Sequence, residues 1–290
     1  MISKKDIGQI SGSKKKVGKQ ITVAMVQSLV RQSDLNEIRD KFGTIIVDEC
    51  HHIPAKSFRD VIVKLNSYYL YGLTATPKRK YNDEKLIFYY IGDIIYQLGA
   101  EYKKAKEIND PILNIKETTL TFPYENSTDD YQLLSKVLVF DTTRNRLITN
   151  DIFQQVKNKR KILVLTDRKD HVDVLNQYLK KECETITLTG DDSNASKKSK
   201  LEQIKLGHFQ VLLATGQLFG EGIDIDTLDC LFIVYPLSFE GKLEQYIGRI
   251  QRTSGKQYIF DYRDQNIPYF EKMFKKRNRY YKKNFNGVLS

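Results

Sequence analysis

The chain has 290 residues, 40% of them hydrophobic and 29% charged, with 16 glycines and 6 prolines. That balance excludes a disordered or collagen-like chain, and the length suits about two domains of roughly 150 residues. The formal net charge of +11 points to a polyanionic partner, nucleic acid first.

No apolar run is long enough to cross a bilayer as a helix, so no membrane role is expected. Met1-Ile2-Ser3-Lys4-Lys5 has no apolar core behind its charges and does not read as a secretory signal. Cys50, Cys183 and Cys230 are odd in number and far apart. They offer neither a disulfide framework nor zinc spacing, and a reducing cytoplasm is expected.

In chain order, residues 1–20 are polar and lysine-rich and read as loop, or as a weak edge strand with a turn. Residues 21–26 predict a strand, with Gln27-Ser28-Leu29 opening a loop or helix. A short amphipathic helix is predicted over Leu35–Phe42. Thr44-Ile45-Ile46-Val47 is a continuous apolar run of the kind a buried parallel strand makes. It ends in two carboxylates, Asp48 and Glu49. Strand carboxyl ends are where open parallel α/β sheets bind ligands, and paired carboxylates there suit a hard cation with a polarised phosphate and water. A strand ending in a polar loop is the plainer alternative for this stretch alone.

Helical spacing places Phe58, Val61, Ile62 and Leu65 on one face. Tyr69–Leu73 predicts the next strand, ending in Thr74-Ala75-Thr76-Pro77. This alternation predicts a parallel sheet with crossovers. Residues 82–130 are less regular, with β character over Ile112–Phe122. A second α/β alternation follows, with strands at 161–166, 185–188, 210–214 and 230–234. Helices are predicted at 172–179, 196–206 and 242–251. From Tyr269 to Phe285 rings and charges interleave. Phe270, Met273, Phe274, Arg277 and Tyr281 share a stripe, which predicts a helix packed on the second domain with a basic outer face.

Four stretches in order, Asp48-Glu49-Cys50-His51, Thr74-Ala75-Thr76-Pro77, Gly220-Glu221-Gly222-Ile223-Asp224 and Gln245–Arg252, resemble motifs II, III, V and VI of superfamily 2 helicases and translocases. The nearest likeness is to the DNA-repair and restriction-type branch with DECH-like boxes, and Thr166-Asp167-Arg168 resembles the motif IV region. The resemblance covers nearly the whole chain. It implies an α/β protein of two RecA-like parallel-sheet lobes, the first incomplete at its N-terminus. The first lobe is placed at 1–105, a linker at 106–145, the second lobe at 146–265 and the basic aromatic helix at 266–290.

The resemblance also implies the chemistry. Asp48 would hold Mg²⁺ through water, and Glu49 would orient the water that attacks ATP. Arg249 and Arg252 share a helix face and would act as arginine fingers. Gly222, Asp224 and Gln245 would approach the nucleotide. His51, Thr74 and Thr76 would couple hydrolysis to movement on nucleic acid, DNA more than RNA. Gln27, Ser28, Arg168, Thr189, Gly190 and Thr215 are candidates for gripping its phosphates, though each also suits a plain helix cap or turn. His51 and His52 have no Cys or His partner at zinc spacing.

The family's phosphate loop, G-x-x-x-x-G-K-[ST], has one near match, Gly12 to Gln20. It carries one residue too many between its glycines, ends in Gln20 rather than a hydroxyl residue, and precedes the strand it should follow. It reads as a lysine-rich turn. Relative to the family the chain therefore looks truncated at its N-terminus, which should leave apolar strand surface and edges uncovered. A partner chain or upstream segment would supply the loop. The alternative expectation is a non-hydrolysing nucleic-acid-binding remnant or regulatory subunit.

Overall fold

The structure is a computed structural model that describes residues 3, 6–32, 34–74, 85–97, 110–122, 130–216, 225–237, 240–251 and 255–285. Contacts divide the chain into one unit over Met1–Leu98 and a second over Gly99–Ser290.

The first unit opens with a hairpin. Strand β1 (Ile7–Ser11) runs antiparallel to β2 (Lys14–Lys16), and β3 (Ile21–Ala24) pairs parallel to β1 on its other side. The near match to a phosphate loop is thus the hairpin and its return. Its Gly18 is required for a backbone crossing, because a Cβ there would lie 2.3 Å from the Gly8 nitrogen. Helices α1 (Val26–Val30) and α2 (Asn36–Arg39) follow, and Leu29, Leu35 and Ile38 pack with Ile10 and with Val61 of α3 (Lys56–Ile62).

Strands β4 (Thr44–Val47) and β5 (Tyr69–Gly72) form a separate parallel pair, joined through α3, with α4 (Lys85–Ile91) beyond. Val47, Cys50, Ile53, Ile62 and Ile87 bury one side of this pair. Its other side is open, with Ile46 62% and Tyr69 59% exposed and Tyr71 exposed beside them. Parallel strands normally have both faces covered; here one face of the pair is open. The helix at 85–91 lies in a region read as irregular.

The second unit is built on a six-stranded, wholly parallel sheet. Its strands are β6 (Ile112–Glu117), β7 (Ile162–Thr166), β8 (Thr185–Leu188), β9 (Val211–Thr215), β10 (Cys230–Ile233) and β11 (Tyr258–Arg263), in the spatial order β6-β11-β10-β7-β9-β8. The central strands alternate between two cores. Leu163, Leu165, Leu212, Leu231 and Ile233 face one layer, and Ile162, Val164, Leu213, Cys230 and Phe232 the other. The first layer is completed by α8 (Asn194–Lys205), α9 (Glu240–Ile250) and α10 (Pro268–Asn284), and the second by α6 (Thr142–Lys157) and α7 (Lys169–Leu179).

The span 106–145, expected as a linker, contributes β6 and α5 (Tyr131–Phe140) to this unit. A buried polar knot fastens it there. Thr118 Oγ1 donates to Asp264 at 2.6 Å, and the Arg144 guanidinium donates to both oxygens of the same carboxylate at 2.8 and 3.2 Å.

Candidate functional site

In the first unit, β4 and β5 end level, since Val47 pairs with Gly72. The chain then turns sharply at Asp48-Glu49. Asp48 is exposed, and one of its carboxylate oxygens accepts the Glu49 N–H at 2.9 Å. Glu49 sits in the left-handed region (φ 50°, ψ 47°), a conformation that stores about 1–3 kcal/mol of strain in a residue with a Cβ. The Cys50 N–H donates to the Leu73 carbonyl at 2.9 Å, and the Leu73 N–H to the Val47 carbonyl at 2.9 Å. These bonds lock the turn against the end of β5. Cys50 is packing rather than chemistry. Burial first, then the charges of Glu49 and Asp48, push its thiol up, so it stays protonated.

His51 and Thr74, both expected to couple, are brought together. His51 Nδ1 lies 3.0 Å from Thr74 Oγ1 and 3.1 Å from a Glu49 carboxylate oxygen. One ring nitrogen faces two oxygens. Protonated, Nδ1 donates to the carboxylate, to the hydroxyl, or to both. Deprotonated, it accepts the Thr74 hydroxyl and repels Glu49. The position of one proton therefore links the carboxylate to the β5 strand end.

Among the described residues no group of three or more His, Cys, Asp or Glu side chains could hold a metal. A single exposed carboxylate suits Mg²⁺, which keeps most of its water and takes its remaining ligands from phosphate. Asp48 fits that requirement.

At the end of β3, Gln27 is exposed on α1 and Ser28 is half-buried, its hydroxyl accepting the Gly12 N–H at 3.0 Å. Thr76 lies outside the described residues.

In the second unit, α9 carries Gln245 and Arg249 one turn apart, both partly exposed, while Leu243, Tyr246, Ile247 and Ile250 anchor its inner face. Gly222, Asp224 and Arg252 lie outside the described residues. Thr215 closes β9, level with Thr166 of β7. Gly216, next to it, is held against α9. A Cβ there would fall 1.9 Å from the Tyr246 hydroxyl and 3.0 Å from Asp167. Among the described residues the buried Tyr246 hydroxyl has no hydrogen-bond partner. Lys242 of α9 pairs with Asp167 at 3.5 Å. The end of β9, Asp167 and α9 thus form one packed cluster. Tyr246 and Asp167 were not singled out from the sequence; their only signal was lying within the motif VI and IV stretches.

Two expected phosphate contacts are engaged elsewhere. Arg168 donates to the Tyr235 hydroxyl at 3.2 Å and to Gln132 Oε1 at 3.0 Å, over the Tyr131 ring. The Thr189 N–H donates to Asp192 at 2.9 Å, which closes the turn through Gly190 on itself and beside Asp191 and Asp192. An amide so used, flanked by carboxylates, is poorly disposed to phosphate.

Two family models match the chain: the type III restriction enzyme res subunit over residues 1–79, and the helicase conserved C-terminal domain over residues 135–254. Curated relatives include the putative ATP-dependent RNA helicase L396 of Acanthamoeba polyphaga mimivirus. It is 28% identical over 280 residues, which cover 90% of this chain and 51% of the relative. The DNA 3'-5' translocase XPB2 of Sulfurisphaera tokodaii is 24% identical over 88% of this chain and 65% of its own length. The chain spans about half the length of the first curated relatives it matches. Among solved structures, Saccharomyces cerevisiae Dbp5 bound to RNA and ADP BeF3 aligns with a TM-score of 0.66 at 16% identity, covering 97% of this chain and 68% of Dbp5. T4 UvsW aligns at 0.51 and 19% identity, covering 99% of this chain and 62% of UvsW. At these identities the structural likeness speaks for the fold alone, an α/β fold of RecA-like parallel-sheet domains.

Proposed function

This chain belongs to the superfamily 2 helicases and translocases of the DNA-repair and restriction type, and from that premise we propose that it serves an ATP-dependent motor acting on nucleic acid, DNA more than RNA. The observation that carries the reading is the turn after β4, where strain, backbone hydrogen bonds and His51 hold Asp48 and Glu49 at a parallel-strand end.

In this reading Asp48 would hold Mg²⁺ for the triphosphate. The metal supplies charge neutralisation on the phosphate oxygens when bound. Glu49 orients the attacking water and accepts its proton. Its carboxylate orientation is set by His51, which answers to Thr74. Gln245 and Arg249 of α9, with Gly222, Asp224 and Arg252, contribute the second unit's groups toward the nucleotide. Arginine provides a planar, permanently charged fork suited to phosphate. Gln27, Ser28 and Thr215 contact the nucleic acid.

No G-x-x-x-x-G-K-[ST] occurs in the 290 residues, so the phosphate cradle comes from a segment or partner chain outside them. The open face of β4 and β5 supports that requirement. The same missing motif supports a second reading, a nucleic-acid-binding subunit without turnover. The free, buried thiols among the described residues suit a reducing cytoplasm.

The test is nucleic-acid-stimulated ATP hydrolysis, with the Glu49→Gln variant as control. Turnover that Glu49→Gln abolishes supports the motor. Salt-sensitive binding without turnover, even when the phosphate-loop segment is supplied, supports the binding subunit.

A further inference from the structure

We propose that the lysine hairpin, residues 7–16, is an additional contact for the phosphodiester backbone of a nucleic acid. This rests on the nucleic-acid reading above and adds a site to it.

Strand β2 is Lys14-Lys15-Lys16, and all three residues are exposed. A strand that packed on the core would hide alternate side chains; this one hides none. It is held out from the unit by its pairing with β1 alone. The pairing sets Lys14 opposite Ser11 and Lys16 opposite Gln9, which puts Gln9, Ser11, Lys14 and Lys16 on one face. On that face Lys14 donates to the Gln9 amide oxygen at 3.2 Å, and the Gln9 amide donates to Ser11 at 2.9 Å. Lys14 thus has a neutral neighbour and keeps its full charge for an anion. Residues two apart on a strand stand about 6.8 Å apart, so Lys14 and Lys16 present two separate charges along one edge.

The hairpin is rigid at its root and its tip. Gly8 crosses Gly18 backbone to backbone, and the Met25 N–H donates to the Ile10 carbonyl at 2.9 Å. The tip turns at Gly12 (φ 56°), as a two-residue hairpin loop requires. The Gly12 N–H donates to the hydroxyl of Ser28. The lysines are therefore tied to the α1 turn that carries Gln27 and Ser28, and a strand gripped there continues onto the hairpin.

Exposed lysines on an edge strand also serve to block edge-to-edge association. Charge reversal separates the two roles, since glutamate protects an edge as lysine does but repels phosphate. The experiment is fluorescence anisotropy of labelled oligothymidylate and oligouridylate with the full chain across a salt series. The variants are Lys14→Glu/Lys15→Glu/Lys16→Glu and a control, Lys180→Glu/Lys181→Glu/Lys205→Glu. The control changes net charge identically, at exposed positions where α7 and α8 end, on the opposite edge of the second sheet from its strand carboxyl ends. A Lys→Arg triple at 14–16 completes the set.

Loss of tenfold or more in affinity and about 2 in the salt slope is expected for the hairpin triple on both probes. The control should lose little, and the Arg triple should bind as the parent does. A hairpin loss no greater than the control's overturns the proposal while leaving the nucleic-acid reading intact. Loss on one probe alone overturns the assignment to backbone. If the parent chain binds neither probe, both readings fall.

Discussion

The His51 imidazole and the Thr74 hydroxyl meet at 3.0 Å, and the same ring nitrogen lies 3.1 Å from a Glu49 carboxylate oxygen. A side chain on the turn after β4 thereby joins the proposed hydrolytic carboxylate to the end of β5. His51→Ala and Thr74→Val should each lower the ratio of nucleic-acid-stimulated to basal ATP hydrolysis in the assembled motor by about tenfold. That is the effect of roughly 1.5 kcal/mol for one well-placed hydrogen bond. A ratio unchanged in both variants would show that the contact is structural only.

Arg277 is a stability prediction. It is buried in α10 and donates to both oxygens of buried Asp261, at 2.7 and 2.9 Å, and to the Leu237 carbonyl at 2.9 Å. Arg277→Met strands the carboxylate and should lower unfolding free energy by about 3–5 kcal/mol in denaturant titration. Arg277→Met/Asp261→Leu should recover most of the loss, because the uncompensated charge is gone.

His171 gives a pH dependence. Asn145 donates its amide to the Val139 carbonyl, so its Oδ1 accepts from His171 Nε2 at 3.1 Å, while Nδ1 faces Thr166 Oγ1 at 3.2 Å. The ring is neutral, and burial, aided by the Arg144 charge, holds its pKa well below the usual value. The unfolded chain therefore binds a proton that the folded chain refuses. Its stabilising contribution is complete above about pH 6.5 and declines as pH falls below that value. Chemical denaturation between pH 7.5 and 5 should show this fall, and His171→Gln should flatten it. Equal slopes in both proteins would contradict the assignment.

Gly216 and Tyr246 form a paired test. Gly216→Ala forces a methyl into the Tyr246 ring and should destabilise the second unit by about 1–3 kcal/mol. Tyr246→Phe removes a buried hydroxyl that has no partner among the described residues and should be neutral or stabilising. The melting temperatures of the two variants should move in opposite directions or only the first should fall.

Much of the architecture was legible. The strands of the second sheet from 162 to 233 and the C-terminal helix follow from apolar runs and helical spacing, since their burial is the periodic signal itself; the strand at 44–47 follows from its apolar run, but only Val47 is buried in it. Even Arg277 falls on the predicted inner stripe. Two of the hidden elements carry buried polar groups. Helix α6 buries Arg144, Asn145 and Thr149, and β11 buries Asp261. Their partners lie far along the chain, Asp264 for Arg144 and Arg277 for Asp261, so local pattern reads them as solvated. At the candidate site, the carboxylates and their histidine were visible as residue types. The contacts of His51 with Glu49 and Thr74 and the engagement of Arg168 by Tyr235 and Gln132 depend on tertiary placement.

The most direct test of the account is ATP hydrolysis by the chain joined to a segment carrying a G-x-x-x-x-G-K-[ST] loop, with and without nucleic acid, in the parent and in Glu49→Gln. The account predicts nucleic-acid-stimulated turnover in the joined parent, none in the 290 residues alone, and loss of at least a hundredfold in Glu49→Gln, the scale of removing a positioned proton acceptor. Turnover that survives Glu49→Gln would contradict it.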